Sequence, residues 1–207
     1  MLFAVSETTL GYLNPLESAE YLTCVKINSL YTRLNKTLGD VFERVFRDEL
    51  AIVLNVETKQ LKPLKENQET SRTVGDINLR KEFCTNKQWD NLCHIMPQAH
   101  PIRSSHIGIA VESRLGNKST DGNRMERMKK DVKLADDMNY AYLIVSLMDA
   151  KWKSSLIPAL QLSDFARVFG LSVDRIRSRV STTPRVVVAY QELEQYMHNI
   201  PNEIKGA

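Results

Sequence analysis

The chain has 207 residues, of which 43% are hydrophobic and 26% charged, an ordinary composition for a globular protein. This length is enough for one good core and short for two full domains. Eight glycines and three cysteines exclude the collagen-like and disulfide-scaffold classes. The formal net charge of +3 permits a nucleic-acid partner without requiring one, because basic side chains must cluster to attract phosphate.

The N-terminal segment, the lengths of the apolar runs and the cysteines indicate the cellular compartment. Only five apolar residues precede Ser6 and Glu7, so we expect no signal peptide. No stretch approaches the roughly 18 apolar residues of a membrane span, so we expect no membrane partner. The cysteines are odd in number and scattered, which favours reduced thiols and a cytoplasmic protein.

The N-terminal part, residues 1–56, is predicted to be helical. Apolar residues recur at helical spacing over Ser18–Leu34 and again over Val41–Val53, with Thr37 or Asp40 as a possible cap between two helices. Residues 57–73 are polar and contain a proline, which is typical of a long loop.

The remaining part, residues 74–207, has the pattern of an α/β core. The predicted strands are Val74–Leu79, Ile107–Val111, Tyr140–Leu147 and Arg185–Tyr190, and the predicted helices are Met125–Met138, Ser163–Val180 and Glu192–His198. Alternating strands and helices predict one α/β domain over residues 1–207, with a mixed central sheet flanked by helices. The order of the strands stays open.

The segment around Glu112 carries a family resemblance. A buried strand runs into an acid and a glycine-containing loop (IGIAVESRLGN), followed by a basic helix (NRMERMKKDVKLAD) and a second buried strand (NYAYLIVSLMD). This order resembles the core of the PD-(D/E)xK nucleases, nearest to restriction enzymes of the BamHI/BglII type, over about residues 105–150. The resemblance implies a restriction-endonuclease-like fold and Mg²⁺-dependent cleavage of double-stranded DNA at a short specific site. It also implies a homodimer, because a palindromic site is two-fold symmetric.

The resemblance assigns the metal to two carboxylates, since Mg²⁺ beside a scissile phosphate is held by acid oxygens. Glu112 ends the strand as the family's acid does. The place of the first acid, about nine residues earlier, is occupied by Arg103, which makes Asp76 the best remaining metal ligand and Asp90 the second choice. Glu43 or Glu49 could add a carboxylate from the N-terminal helix.

In this family a Lys often follows the strand acid by two residues, although members of the named subgroup carry Glu or Gln there, and in this chain the position is Arg114. Arginine holds phosphate but cannot accept a proton near neutral pH. A lysine of the next helix, Lys130 or one of its neighbours Lys129 and Lys133, could act in its place. The predicted catalytic set is therefore Asp76, Glu112, Arg114 and Lys130.

Positive charge is concentrated near this segment. Residues 103–133 contain eight basic and four acidic side chains, an excess larger than that of the whole chain. Polar and basic side chains of the loop and helix suit phosphate or base-edge contacts. The predicted DNA contacts here are Lys118, Asn123, Arg124 and Arg127.

Residues 162–180 resemble a helix-turn-helix of the LacI type. Ala166, Gly170 and Ile176 stand at its small, turn and core positions, and Ser172 would cap the second helix. The DNA-facing residues would be Ser172, Arg175, Arg177 and Arg179. This segment supports an alternative function, a DNA-binding protein without catalysis, and it is equally compatible with a plain helix pair packed under the sheet. A protein-interaction subunit with a nuclease-like fold is the third hypothesis.

Overall fold

The computed structural model describes residues 19–65, 73–116, 122–148 and 158–200, without the side chains of residues 122–125. The helices are α1 (Ala19–Leu54), α2 (Asn86–Ile95), α3 (Gly122–Asp137), α4 (Leu162–Phe169), α5 (Val173–Ser181) and α6 (Pro184–His198). The strands are β1 (Leu64–Lys65), β2 (Thr73–Val74), β3 (Ile77–Arg80), β4 (Gly108–Arg114), β5 (Tyr140–Ser146) and β6 (Ala159–Gln161). Short 3₁₀ turns cover Thr58–Leu61 and Lys81–Phe83.

A four-stranded mixed sheet organises the described residues. Its strand order is β3-β4-β5-β6, with β3 antiparallel to β4 and with β4, β5 and β6 mutually parallel. Helix α3 connects β4 to β5 along the chain, as a parallel pair requires. The prediction of an α/β protein with a mixed sheet is confirmed. A separate two-stranded antiparallel ladder pairs β1 with β2.

The core lies on both sides of β5, which is buried along its whole length. On one face, Ala110, Tyr142 and Ile144 pack in a single apolar cluster with Met128 and Ala135 of α3. Elsewhere in the core, a row of aromatic rings joins α1 to α4, with Phe46 lying 5.6 Å from Phe42 and 5.5 Å from Phe165 between ring centroids. Such fully buried side chains each contribute about 1.5–3 kcal/mol.

The structure corrects two predictions and adds one strand. The predicted strand Arg185–Tyr190 is wrong, because this segment belongs to α6. Pro184 suits the first turn of a helix, and Val186 and Ala189, three residues apart, are the buried pair. The third parallel strand is instead β6, in a segment for which no strand was predicted. The predicted break at Thr37 or Asp40 is also wrong, since α1 is continuous there.

Other local differences are smaller. Helix α2 was missed, although Thr85 and Gln88 form a capping box whose sequence pattern marks a helix start. Part of the predicted loop over residues 57–73 is ordered into a 3₁₀ turn and β1. The predicted helix Ser163–Val180 is divided into α4 and α5 at Gly170, whose φ of +71° ends α4 in a left-handed cap.

The chain divides into two compact units, and the division falls within α1. Residues 38–183 form the unit that contains the mixed sheet. The other unit contains α1 up to Thr37 together with α6, and an ion pair of 2.6 Å between Arg33 and Glu192 lies within it. Of the helices in the described ranges, none is both long and apolar enough to cross a membrane.

Candidate functional site

Asp76 lies in a tight turn that brings it against the end of β4. The Asp76 amide donates to the Val111 carbonyl at 2.7 Å, and its Oδ2 accepts from the Ser113 amide at 2.7 Å. Gly75 makes this approach possible, because it has a φ of +66° and a Cβ there would lie 2.9 Å from the Val111 oxygen. The turn therefore places the Asp76 carboxylate beside the strand residues that flank Glu112.

Glu112 lies where β4 leaves the core. The first four residues of β4 are buried and the last three are partly exposed. Strand alternation puts Glu112 and Arg114 on the same face as Ala110, the face covered by α3. The two side chains form an ion pair and are only 14% and 26% exposed, respectively. The carboxylate of Glu112 is thus held in a half-buried position by its own neighbour.

The two predicted metal ligands interact electrostatically. The pKa of Asp76 is raised from 3.8 to about 7, first by burial and then by the negative charge of Glu112. The Ser113 amide and the cations Arg114 and Arg47 oppose this rise. Burial and a second carboxylate are the two causes expected where acids converge on one site.

Helix α1 adds a third acid and a second cation. Glu43 and Arg47, one helical turn apart, form an ion pair. Burial, followed by the charge of Asp76, raises the pKa of Glu43, while Arg47 lowers it. Glu43 was one of the two helix carboxylates considered from the sequence. Arg47 was missed, and the only available signal was its i,i+4 spacing from Glu43.

Buried polar atoms without partners concentrate around these acids. Within the described ranges, five buried side-chain atoms have no hydrogen-bond partner: Arg47 Nε, Asn78 Oδ1, Ser113 Oγ, Arg114 Nε and Tyr142 Oη. A buried polar group without a partner costs about 1–3 kcal/mol, so such groups are uncommon away from functional sites. Asn78 and Tyr142 were missed from the sequence because nothing local distinguishes them from other strand residues.

The lysine predicted to assist catalysis lies elsewhere. Lys130 is exposed on α3, and its charge acts on Glu126. Lys129 also pairs with Glu126, at 2.8 Å. Asp90, the second-choice ligand, is exposed on α2 and acts on Cys93. Among the side chains that the structure describes, the cations beside the acids are therefore Arg114 and Arg47.

The predicted DNA contacts of the loop and helix are described only in part. Lys118 lies outside the described residues, and Asn123 and Arg124 are described by their backbone alone, at the start of α3. Arg127 is exposed on α3. The contacts of these residues with DNA remain predictions.

The predicted helix-turn-helix has the expected local geometry. Gly170 occupies the left-handed turn position, Ile176 is fully buried, and the Ser172 hydroxyl accepts from the Arg175 amide at 3.2 Å as an N-cap. Its arginines differ in their surroundings. Glu49 of α1 is only 4% exposed. Its carboxylate forms ion pairs with Arg175 Nε at 3.0 Å and with Arg179 Nη1 at 2.5 Å.

Arg177 lies two residues from both Arg175 and Arg179, and residues two apart do not share a helix face. It is exposed, as Arg175 is, whereas Arg179 is partly buried. Glu49, the other helix carboxylate considered from the sequence, therefore holds α5 against α1 and is part of this packing contact.

Carboxylates and guanidinium groups lie together around Asp76 and Glu112, and these are the side-chain types that bind divalent cations and phosphate, respectively. One or two carboxylates are enough for Mg²⁺, which keeps several waters and completes its shell with phosphate oxygens. No group of three or more acid, histidine or cysteine side chains placed to hold a metal occurs in the described part of the chain. Guanidinium groups bind phosphate through paired hydrogen bonds. Comparisons with protein-family models, curated proteins and solved structures give no match to this chain.

Proposed function

We propose that this protein is a Mg²⁺-dependent endonuclease of the type II restriction class, cleaving double-stranded DNA at a short specific site. The observation that carries the proposal is the position of Asp76 at the end of β4, where its carboxylate accepts from the amide of Ser113, the residue after Glu112, and where the charge of Glu112 raises the pKa of Asp76. Two acids converging beside two arginines fit phosphodiester hydrolysis better than a purely structural ion pair. The proposed fold is the restriction-endonuclease-like variant of the mixed α/β sheet.

The residues at this site fit a magnesium ion. Asp76 and Glu112 would hold it. The side-chain oxygens of Asn78 and Tyr142, which have no hydrogen-bond partner among the described residues, would be further acceptors nearby. When bound, the ion would lower the pKa of an attacking water and offset charge on the leaving oxygen. The charge of Asp76 acts on Glu43 and raises the pKa of Glu43, which would stay paired with Arg47.

The chain's own cations would hold the phosphate. Arg114 presents a guanidinium beside Glu112, with a buried Nε that has no partner among the described residues. Arg47 presents a second one on the side of Glu43. Because arginine stays protonated, both would bind and orient the phosphate and neither would take up its proton. Lys130 would contact the DNA backbone at a distance from the acids.

The DNA partner would contact the surface that follows β4. Lys118, Asn123, Arg124 and Arg127 provide its basic and amide side chains. The protein would act in the cytoplasm as a two-fold symmetric homodimer, which matches a palindromic site, with each copy acting on one strand.

A cleavage assay tests this function. Mixed-sequence duplex DNA is incubated with Mg²⁺ and either the wild type or Glu112→Ala, and the matched control is Glu126→Ala, an exposed acid on α3. We expect cleavage by the wild type and the control, and its loss in Glu112→Ala and in excess chelator. Full cleavage by Glu112→Ala would contradict the assigned site, and no cleavage by the wild type would contradict the function.

The alternative is a DNA-binding protein without catalysis, which uses α4 and α5. The left-handed Gly170 and the Ser172 cap favour it, because they give the turn a helix-turn-helix needs. It predicts metal-independent binding that Glu112→Ala leaves unchanged. Arg177→Ala is the sharpest variant, since Arg175 and Arg179 also bind Glu49 and their loss would disturb packing.

A further inference from the structure

Three neighbouring strands place two polar side chains in one row beneath α3. Asn78 of β3 and Tyr142 of β5 both pair with Ala110 of β4, one on each side. Paired residues of adjacent strands project from the same face of a sheet, and Glu112 is the next residue of β4 on that face. Asn78 and Tyr142 therefore flank the strand position that leads directly to Glu112.

Both side chains are buried and incompletely hydrogen-bonded. Asn78 is 8% exposed and Tyr142 is 3% exposed. The Oδ1 of Asn78 and the Oη of Tyr142 find no partner within the part of the chain that the structure describes. Since a buried amide oxygen or hydroxyl is normally bonded, two such oxygens in one row indicate a missing bonding partner.

Acidic side chains surround the Tyr142 hydroxyl. The pKa of Tyr142 is raised well above its ordinary value, first by burial and then by the negative charges of Glu112, Asp131 and Asp76. Arg114 acts in the opposite direction. Asp131 is buried on the inner face of α3. These three acids outnumber the two arginines of the site, Arg114 and Arg47, which favours a cation with its water over an anion.

We propose that the Tyr142 hydroxyl and the Asn78 amide oxygen bind the water shell of a divalent cation held by Asp76 and Glu112. This inference rests on the proposed metal-dependent function and adds two residues to its site. Water bound to Mg²⁺ or Mn²⁺ donates hydrogen bonds, so it requires acceptor oxygens around it. An amide oxygen and a phenolic oxygen are such acceptors. Neither residue touches the reacting phosphate, and both act as positioning residues for the hydrated ion.

Tyr142→Phe tests the inference, with Tyr140→Phe as the matched control. Tyr140 lies two residues earlier on β5, in the same apolar cluster, and its hydroxyl is absent from the unpartnered set. Titration calorimetry with Mn²⁺ alone measures affinity in the full chain, and thermal unfolding in chelator measures stability. We expect Tyr142→Phe to bind Mn²⁺ about 10-fold more weakly, the scale for loss of an outer-shell partner. Its unfolding temperature should be equal to or above that of the wild type, because the hydroxyl has no partner to lose.

The outcomes separate the inference from the proposed function. Weaker Mn²⁺ binding in Tyr142→Phe and not in Tyr140→Phe, with an unfolding temperature of Tyr142→Phe equal to or above that of the wild type, supports the inference. Wild-type affinity in Tyr142→Phe overturns it and leaves the metal site of Asp76 and Glu112 intact. A clearly lowered unfolding temperature also overturns it, since the hydroxyl would then bond to protein. Absence of Mn²⁺ binding by the wild type overturns the metal-dependent function itself.

Discussion

The charge on Asp76 should destabilise the folded protein, and Asp76→Asn should relieve that effect. The asparagine retains an oxygen that can accept from the Ser113 amide, now 2.7 Å from Asp76 Oδ2. It removes the negative charge that burial and Glu112 disfavour. The substitution therefore keeps the local hydrogen bond of the turn and isolates the electrostatic contribution.

The expected magnitude follows from the pKa of Asp76. Folding raises it from 3.8 to about 7, so the folded protein binds this proton more tightly than the unfolded chain. The stabilisation from that proton is complete below about pH 4 and is lost as the pH rises through about 7. At about 1.4 kcal/mol for each pH unit, the loss amounts to about 4 kcal/mol.

Urea unfolding between pH 4 and pH 8.5, in the presence of chelator, measures this difference. The free energy of unfolding of Asp76→Asn minus that of the wild type should rise from near zero at pH 4 to about 4 kcal/mol at pH 8.5. Asp90→Asn, an exposed acid on α2, should show no comparable rise. A difference for Asp76→Asn that varies by less than about 1 kcal/mol over this range would refute the electrostatic account of the site.

Three further predictions concern other contacts. Arg114→Gln should bind Mn²⁺ several-fold more tightly at pH 8.5, because Glu112 loses its ion-pair partner, and its DNA cleavage should fall. Weaker Mn²⁺ binding in calorimetry would argue against this role of Arg114. Glu49→Gln should lower the free energy of unfolding by about 2 kcal/mol in urea, since the acceptor shared by Arg175 and Arg179 keeps its oxygen but loses its negative charge. An effect under about 0.5 kcal/mol would exclude a stabilising role for these ion pairs. Gly170→Ala should lower the free energy of unfolding in urea by about 1 kcal/mol, because Gly170 has a φ of +71°. Gly39→Ala, inside α1, should instead raise the free energy of unfolding by up to about 1 kcal/mol. Equal effects of the two substitutions would contradict this conformational cause.

The sequence identified the two acids of the candidate site by different routes. Glu112 follows a continuous apolar run, so the end of its strand was visible locally. Asp76 was inferred from the resemblance after Arg103 was found at the usual position. The partners Arg47, Asn78 and Tyr142 were not identifiable, because each occupies an ordinary helix or strand position. Only pairing across β3, β4 and β5 brings the latter two beside Ala110, two residues before Glu112 on the same face of the sheet.

The sequence by itself determined the β4–α3–β5 arrangement and its basic surface. Long apolar runs and a helical period are local signals, and a parallel pair joined by a helix follows from them. Tertiary structure decided that the valine-rich segment after Pro184 is helical, because burial of Val186 and Ala189 outweighs its β-branched composition. It also decided that Glu49 receives two arginines from α5 and that Asp76 meets Glu112. Contacts between residues far apart in the chain depend on strand register and helix packing, which local sequence patterns do not specify.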